Sequence, residues 1–142
     1  MASIHMTISL HSEVSKIISC PWVEGKAGPD AFDCYGVFEY VYKLMHGVEA
    51  PKFDFNRDDT SLVSACMEIQ KDSGAWIKKD NPIEGDAVLM YKKGRPTHFG
   101  VYIAGQFLHS IKESEGVKGG VCLHSSQIIN KMFEKIEFYR PL

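Results

Sequence analysis

Six histidines and four cysteines carry most of the nucleophilic and proton-transfer capacity of this 142-residue chain. A thiol that attacks an amide must ionise near neutral pH, below its ordinary pKa of about 8.5. The start of a helix helps by presenting roughly half a positive charge and unpaired N–H groups, and a neighbouring imidazolium helps further. Cys34 is placed for the first effect, because the run CYGVFEYVYKLMHG that it opens has helical spacing. The other three are not: Cys20 ends a helix-like run, Cys66 falls on the apolar face of a later predicted helix, and Cys122 lies inside a β-type run. These three read as buried structural cysteines. No C-x-x-C is present and the spacings do not match a zinc site, so neither metal nor cofactor is expected.

His98 is the natural base for Cys34. It opens HFGVYIA, and His109 follows eleven residues later in QFLHS. If the two runs pair as a hairpin about Ala104–Gly105, His98 comes beside residue 109 or 110. His109 can then hold the ring of His98 in one tautomer, as the third member of a catalytic triad does. Spacing alone does not separate this pair from ordinary structural residues, since cysteine is among the most buried residue types. His11, His46 and His124 read as surface or strand residues without a role. The opening MASIHM, with His5, reads as a cloning leader ahead of one domain over residues 7–142.

Positioning these groups requires helices followed by a sheet. Residues 8–19 suit a short amphipathic helix, and the Gly-, Pro- and Asp-rich stretch CPWVEGKAGPDAFDC suits a shaped loop. In the run from Cys34, Val37, Phe38, Val41, Tyr42 and Met45 recur at helical spacing, with Asp33 as N-cap and Gly47 as terminator. A further helix is predicted over 60–71, with Leu62, Val63, Cys66 and Ile69 inward. GDAVLMYK, THFGVYIA, GQFLHSI and GGVCLHSS then read as short strands, with a last one over Ile136–Tyr139. Helices first and antiparallel strands after make an α+β arrangement.

Bulk properties narrow the function classes. A chain of this length buries about 70% of its unfolded surface as one domain, and 44% hydrophobic with 24% charged residues is ordinary for a globular protein. A formal charge of −2 provides no basic field for nucleic acid. The pairs Lys78–Lys79 and Lys92–Lys93 read as solvated surface. No apolar run approaches the roughly 18 residues of a membrane span, and no hydrophobic signal core precedes Cys20. Reduced thiols and synthesis in the cytoplasm are therefore expected.

The segment GPDAFDCYGVFEYVYK resembles the nucleophile block of the NlpC-type cell-wall cysteine peptidases, and EGDAVLMYKKGRPTHFGVYIAGQFLHS resembles their histidine block. With PWVEG ahead and FYRP at the end, the resemblance runs from about residue 16 onward. It implies a papain-like fold in which the helix bearing Cys34 packs on a small antiparallel sheet bearing His98 and His109. The implied activity is hydrolysis of peptidoglycan stem peptides at the D-γ-glutamyl–diamino acid bond, with the backbone N–H of Cys34 helping to hold the oxyanion. Asp33 matches the family aspartate thought to hold the peptide's free amine, although a plain helix cap explains it equally. Trp22 stands twelve residues before the nucleophile, where many members have tyrosine, and reads as an apolar wall of the cleft. Tyr35 replaces the common serine after the nucleophile and is expected to line the cleft. Thr97 replaces a frequent glycine. PWVEG, Tyr35 and FYRP are similar to the tail-associated peptidases of phages and prophages, which implies a virion-tail location with tail proteins as further partners. An inactive structural tail component and a muramoyl-alanine amidase of related fold remain as alternatives. A permuted acyltransferase would place histidine before cysteine, the reverse of the order found.

Overall fold

A computed structural model describes residues 4–51, 74–114 and 118–141. Helix α1 (Ile4–Ile17) turns Leu10, Val14 and Ile17 into the core. It begins inside the stretch read as a leader, so the helix crosses that expected boundary. Helix α2 (Cys34–His46) starts and stops where the sequence places it, capped by Asp33 and ended by Gly47 in the left-handed conformation. Val37, Phe38 and Val41 are fully buried along one side. The helix predicted over 60–71, Cys66 included, lies outside the described residues.

Six strands follow: β1 (Trp76–Lys79), β2 (Ala87–Lys92), β3 (Arg95–Ile103), β4 (Gln106–Ile111), β5 (Gly120–His124) and β6 (Lys135–Pro141). They form one antiparallel sheet in the order β1-β6-β2-β3-β4-β5. The protein is therefore α+β, as the order of sequence patterns requires. Two elements were not expected. β1 is four residues long, too short to show alternation. Helix α3 (Ser126–Met132), capped by the Ser125 side chain, is also short and buries only Ile129.

The sheet carries an apolar layer on each side. Helix α2 packs on β3 and β4, and Phe99 meets Tyr35 edge-on with ring centroids 4.9 Å apart, with Phe38 and Trp76 alongside. The second layer gathers Val88, Met90, Phe107, Ile129 and Phe133 under α3. Alternation along a strand sends successive side chains to opposite layers. The Gly-Asp turn before β2 is fastened to the last strand: Arg140 donates to both oxygens of Asp86 at 2.6 and 2.8 Å. Two blocks that looked like separate signatures, EGDAV and FYRP, are thus one ion pair. Among the described residues no helix is long and apolar enough to cross a membrane.

Candidate active site

The loop that delivers Cys34 is held by backbone pairing. Trp22 bridges to Phe32, the Phe32 N–H donates to the Pro21 carbonyl at 3.0 Å, and the Asp33 N–H to that of Lys26 at 3.0 Å. Asp33 is 1% exposed. Its Oδ1 accepts from the Gly36 N–H at 2.7 Å and its Oδ2 from the Gly25 N–H at 2.8 Å. A buried carboxylate with both oxygens on backbone amides is a cap and a loop clamp. The glycine of C-x-G follows from the same packing. A Cβ on Gly36 would sit 2.0 Å from the Lys26 carbonyl oxygen, so the loop can lie on the helix start only if that residue has no side chain. The Ser110 hydroxyl donates to the Phe32 carbonyl at 2.7 Å and ties the loop to β4.

Cys34 therefore stands at the first residue of α2, half-buried, free of any disulfide and in contact with the core. Cys20 and Cys122 are half-buried too, rather than buried as expected, so burial does not set Cys34 apart; its place at a capped helix start does. Tyr35, expected in the cleft, is 1% exposed. Its ring lies against Phe38 and Phe99 and its hydroxyl donates to the Pro51 carbonyl, so it supports the helix from beneath. An aromatic at that position has room only in the core. Trp22 is half-buried, with the Lys112 ammonium 5.1 Å from its ring centre.

The hairpin about Ala104–Gly105 forms as predicted, with Ile103 opposite Gln106. His98 Nε2 and His109 Nδ1 lie 2.8 Å apart. Here too a glycine makes the approach possible: a Cβ on Gly100 would meet the Leu108 carbonyl at 2.9 Å and the His109 Cβ at 3.2 Å. The register between β2 and β3 skips Thr97, since Met90 pairs with His98 and Tyr91 with Pro96. This bulge beside His98 is a device that re-aims a side chain at a strand end. The His98 ring stacks on Phe133, 5.5 Å between centroids and 7° between planes.

A third imidazole completes the row. His109 Nε2 lies 2.9 Å from His124 Nδ1 on β5. Sequence reading gave His124 no role. The available signal was alternation: Cys122 pairs with His109 and His124 with Phe107, so all of them face one side. Burial and the nearby Lys92 charge push His98 down to about 4. Burial and the two flanking imidazoles push His109 down to about 2, and burial lowers His124. His98 is thus a neutral imidazole at pH 7 and not a standing imidazolium.

His98 opens onto a cleft of about 610 Å3 whose walls include Lys92, Lys93, Arg95 and Lys112, with Thr97, Ile111, Ser114, Met132 and Phe133. Among the described lining residues none is acidic and four are basic, so this lining favours anionic ligands. The Lys92–Lys93 pair, which read as plain surface, borders this cleft.

The NlpC/P60 family pattern matches residues 20–137. Protein P54 of Enterococcus faecium is 28% identical over 110 residues, which make up 77% of this chain and 19% of that protein, so the chain spans only a small part of its relative. Among solved structures, the NlpC/p60 domain of the peptidoglycan hydrolase SagA superposes with a TM-score of 0.58 at 22% identity, covering 96% of this chain and 98% of that one. NlpC1 from Trichomonas vaginalis gives 0.62 at 18% identity, over 99% of this chain and 45% of that one. At such identities both share the fold. With the family pattern running from Cys20 through Glu137, the chain belongs to the NlpC/P60 family.

Proposed function

We propose that this protein is a cysteine peptidase that hydrolyses peptidoglycan stem peptides at the D-γ-glutamyl–diamino acid bond, with Cys34 as nucleophile, His98 as base and His109 orienting His98. The observation that supports it most is the 2.8 Å contact between His98 Nε2 and His109 Nδ1, on strands packed against the helix that Cys34 begins. The hydrogen positions follow from that contact. If His98 takes the thiol proton through Nδ1, its Nε2 carries a hydrogen and donates to His109 Nδ1. His109 Nε2 then carries its own hydrogen and donates to His124 Nδ1, and each ring has one donor and one acceptor.

In this reading the thiol loses its proton to His98 as sulfur bonds to the scissile carbonyl carbon, and the helix end stabilises the developing negative charge. His98 returns the proton to the leaving amine, whose C–N bond breaks to leave a thioester. Water, deprotonated by His98, then resolves the thioester and regenerates the thiol. Free carboxylates on the stem peptide suit the cationic cleft, and the Trp22 ring, 5.1 Å from the ammonium of the cleft residue Lys112, is the apolar surface we assign to the substrate beside it.

Digestion of defined muropeptides with product masses tests the assignment. Wild type is expected to release fragments cut after D-γ-glutamate and Cys34→Ala none, with both folded by circular dichroism. Cleavage at lactyl-alanine would make the protein an amidase, equal release by Cys34→Ala would exclude thiol chemistry, and an inert folded wild type would make it a non-catalytic component. The proposed setting is a phage or prophage tail, where the enzyme opens the wall locally during DNA entry. PWVEG, Tyr35 and FYRP support it by resemblance, and peptide mass spectrometry of purified particles checks it.

A further inference from the structure

We propose that His109, Cys122 and His124 form a binding site for a soft divalent metal ion, zinc foremost, and that filling this site switches the peptidase off. His109 Nε2, Cys122 Sγ and His124 Nδ1 all lie within 4.8 Å of one another. The first and last are 2.9 Å apart, and Cys122 Sγ lies 3.8 Å from His124 Nδ1. Zinc bonds of about 2.3 Å to sulfur and 2.0–2.1 Å to nitrogen place tetrahedral donors roughly 3.3–3.6 Å apart. These two separations bracket that range and the third, His109 Nε2 to Cys122 Sγ, is no more than 4.8 Å, so side-chain adjustments of up to about 1 Å bring the donors to three corners of a tetrahedron.

The cluster is built on rigid elements. His109 and Cys122 are direct partners across β4 and β5, and His124 is two residues along β5 on the same side. Two imidazoles and a thiolate select zinc or cobalt over calcium or magnesium, which take oxygen donors. The outer partner that metal-bound histidines need is also present, because His109 Nδ1 faces His98 Nε2 at 2.8 Å.

That outer contact couples the metal to the base. A metal on His109 Nε2 forces the hydrogen of this ring onto Nδ1, which then donates to His98 Nε2. His98 must in turn carry its hydrogen on Nδ1 and so presents a donor where the reaction needs an acceptor. The histidines gain and lose no protons overall, since each of the two rings only exchanges one tautomer for the other. Cys122 binds as thiolate, and its proton leaves to solvent. The metal site stands independently of the proposed hydrolase reading; the switch rests on that reading's role for His98.

Cobalt(II) titration of the chelator-treated protein tests the site through the thiolate-to-cobalt charge-transfer band. One equivalent is expected to produce the band in wild type and in Cys34→Ala, and to produce none in Cys122→Ser. Zinc at one equivalent is expected to lower wild-type muropeptide cleavage by about tenfold or more, within what general-base chemistry supplies. Chelator should restore cleavage, and Cys122→Ser should be active and insensitive to zinc. A band that survives in Cys122→Ser, or vanishes in Cys34→Ala, puts the metal on another thiol and overturns the proposal. If Cys122→Ser does not fold, alkylation of Cys122 in wild type decides: zinc must protect it, and equal labelling with and without zinc overturns the site. A band lost only with Cys122 in a protein that cleaves nothing would leave the metal site standing and sink the hydrolase reading. The same band in an active enzyme indifferent to zinc would sink the switch.

Discussion

The two halves of the sheet treat buried ionisable groups in opposite ways. In the half formed by β1, β6 and β2, each buried acid has cations or hydroxyls around it. Asp86, 2% exposed, takes both bonds from Arg140. Glu137 accepts from the Tyr91 and Tyr139 hydroxyls, with the Lys78 and Lys135 ammoniums at 3.0 and 3.5 Å. Although burial alone pushes Glu137 up, these bonds hold it at about 2, so it stays charged. In the half formed by β3, β4 and β5, His98, His109 and His124 bond to one another, and among the described residues no carboxylate bonds to them. Burial wins there and the rings are neutral. A buried charge must be paired, whereas a neutral imidazole needs only a donor and an acceptor. The paired half fixes the fold, and the unpaired half keeps its protons movable.

The sharpest way to break this contrast is to strand a buried acid. Arg140→Met leaves the Asp86 carboxylate without its cation and should destabilise the protein by about 3 kcal/mol, the low end for removing one partner of a buried pair, because Arg140 itself is partly exposed. Urea unfolding at pH 7 measures it. A loss under about 1 kcal/mol would mean that the pair does not hold the Gly-Asp turn.

Acid titration separates the halves by pH window. Each buried histidine has a folded pKa below its ordinary value of 6.5, so the unfolded chain binds more protons as pH falls. Stability is therefore full above 6.5 and declines from there toward 4 for His98 and toward 2 for His109, at no more than about 1.4 kcal/mol per pH unit for each ring. Glu137 is also depressed, so its contribution is present above 4.5 and lost as pH falls toward 2. The sign is the same and the window lower. Unfolding of wild type and His98→Gln between pH 7 and 5, in chelator, should show a flatter slope in the variant. Equal slopes would remove His98 from the acid-sensitive set.

Much of this arrangement was legible because local chemistry dictated it. Asp33, Cys34 and Gly47 announced a helix, and Ala104–Gly105 announced the turn that brings His98 to His109. What escaped depends on contacts between distant segments. Tyr35 is polar at one end, and only the packing of Phe99 from β3 shows that its ring belongs to the core. The purpose of Gly36 and Gly100 lies in a carbonyl of Lys26 and one of Leu108, each on another segment. His124 lies on β5, and its membership in the row depends on the β4–β5 register, which no short pattern specifies.

A smaller effect probes the exposed end of the row. His124→Leu removes the acceptor for His109 Nε2, so nothing selects the tautomer that His98 needs. The expected loss is on the order of tenfold in kcat, a fraction of the 10²–10⁴ of positioned general-base catalysis, with KM unchanged. His124→Asn should recover most of it, because its amide oxygen can accept where Nδ1 did. If the role were purely structural, His124→Asn would not recover activity and the loss in His124→Leu would appear in the melting temperature instead.

The smallest effect expected comes from charge alone. Lys92 is the second cause, after burial, of the low His98 pKa, and its ammonium lies 5.2 Å from the centre of the Phe133 ring on which His98 stacks. Lys92→Gln removes the repulsion that penalises protonated His98, so the His98 pKa must rise. The proposed mechanism needs that ring neutral, so under it the acid limb of kcat/KM must move to higher pH. The move should be modest, because burial is the larger cause and stays. Lys92 also borders the cleft, so KM for an anionic stem peptide should rise while kcat on the pH plateau holds. A KM change with an unmoved acid limb would show that the Lys92 charge acts on the substrate and not on the base, leaving burial alone to keep His98 neutral.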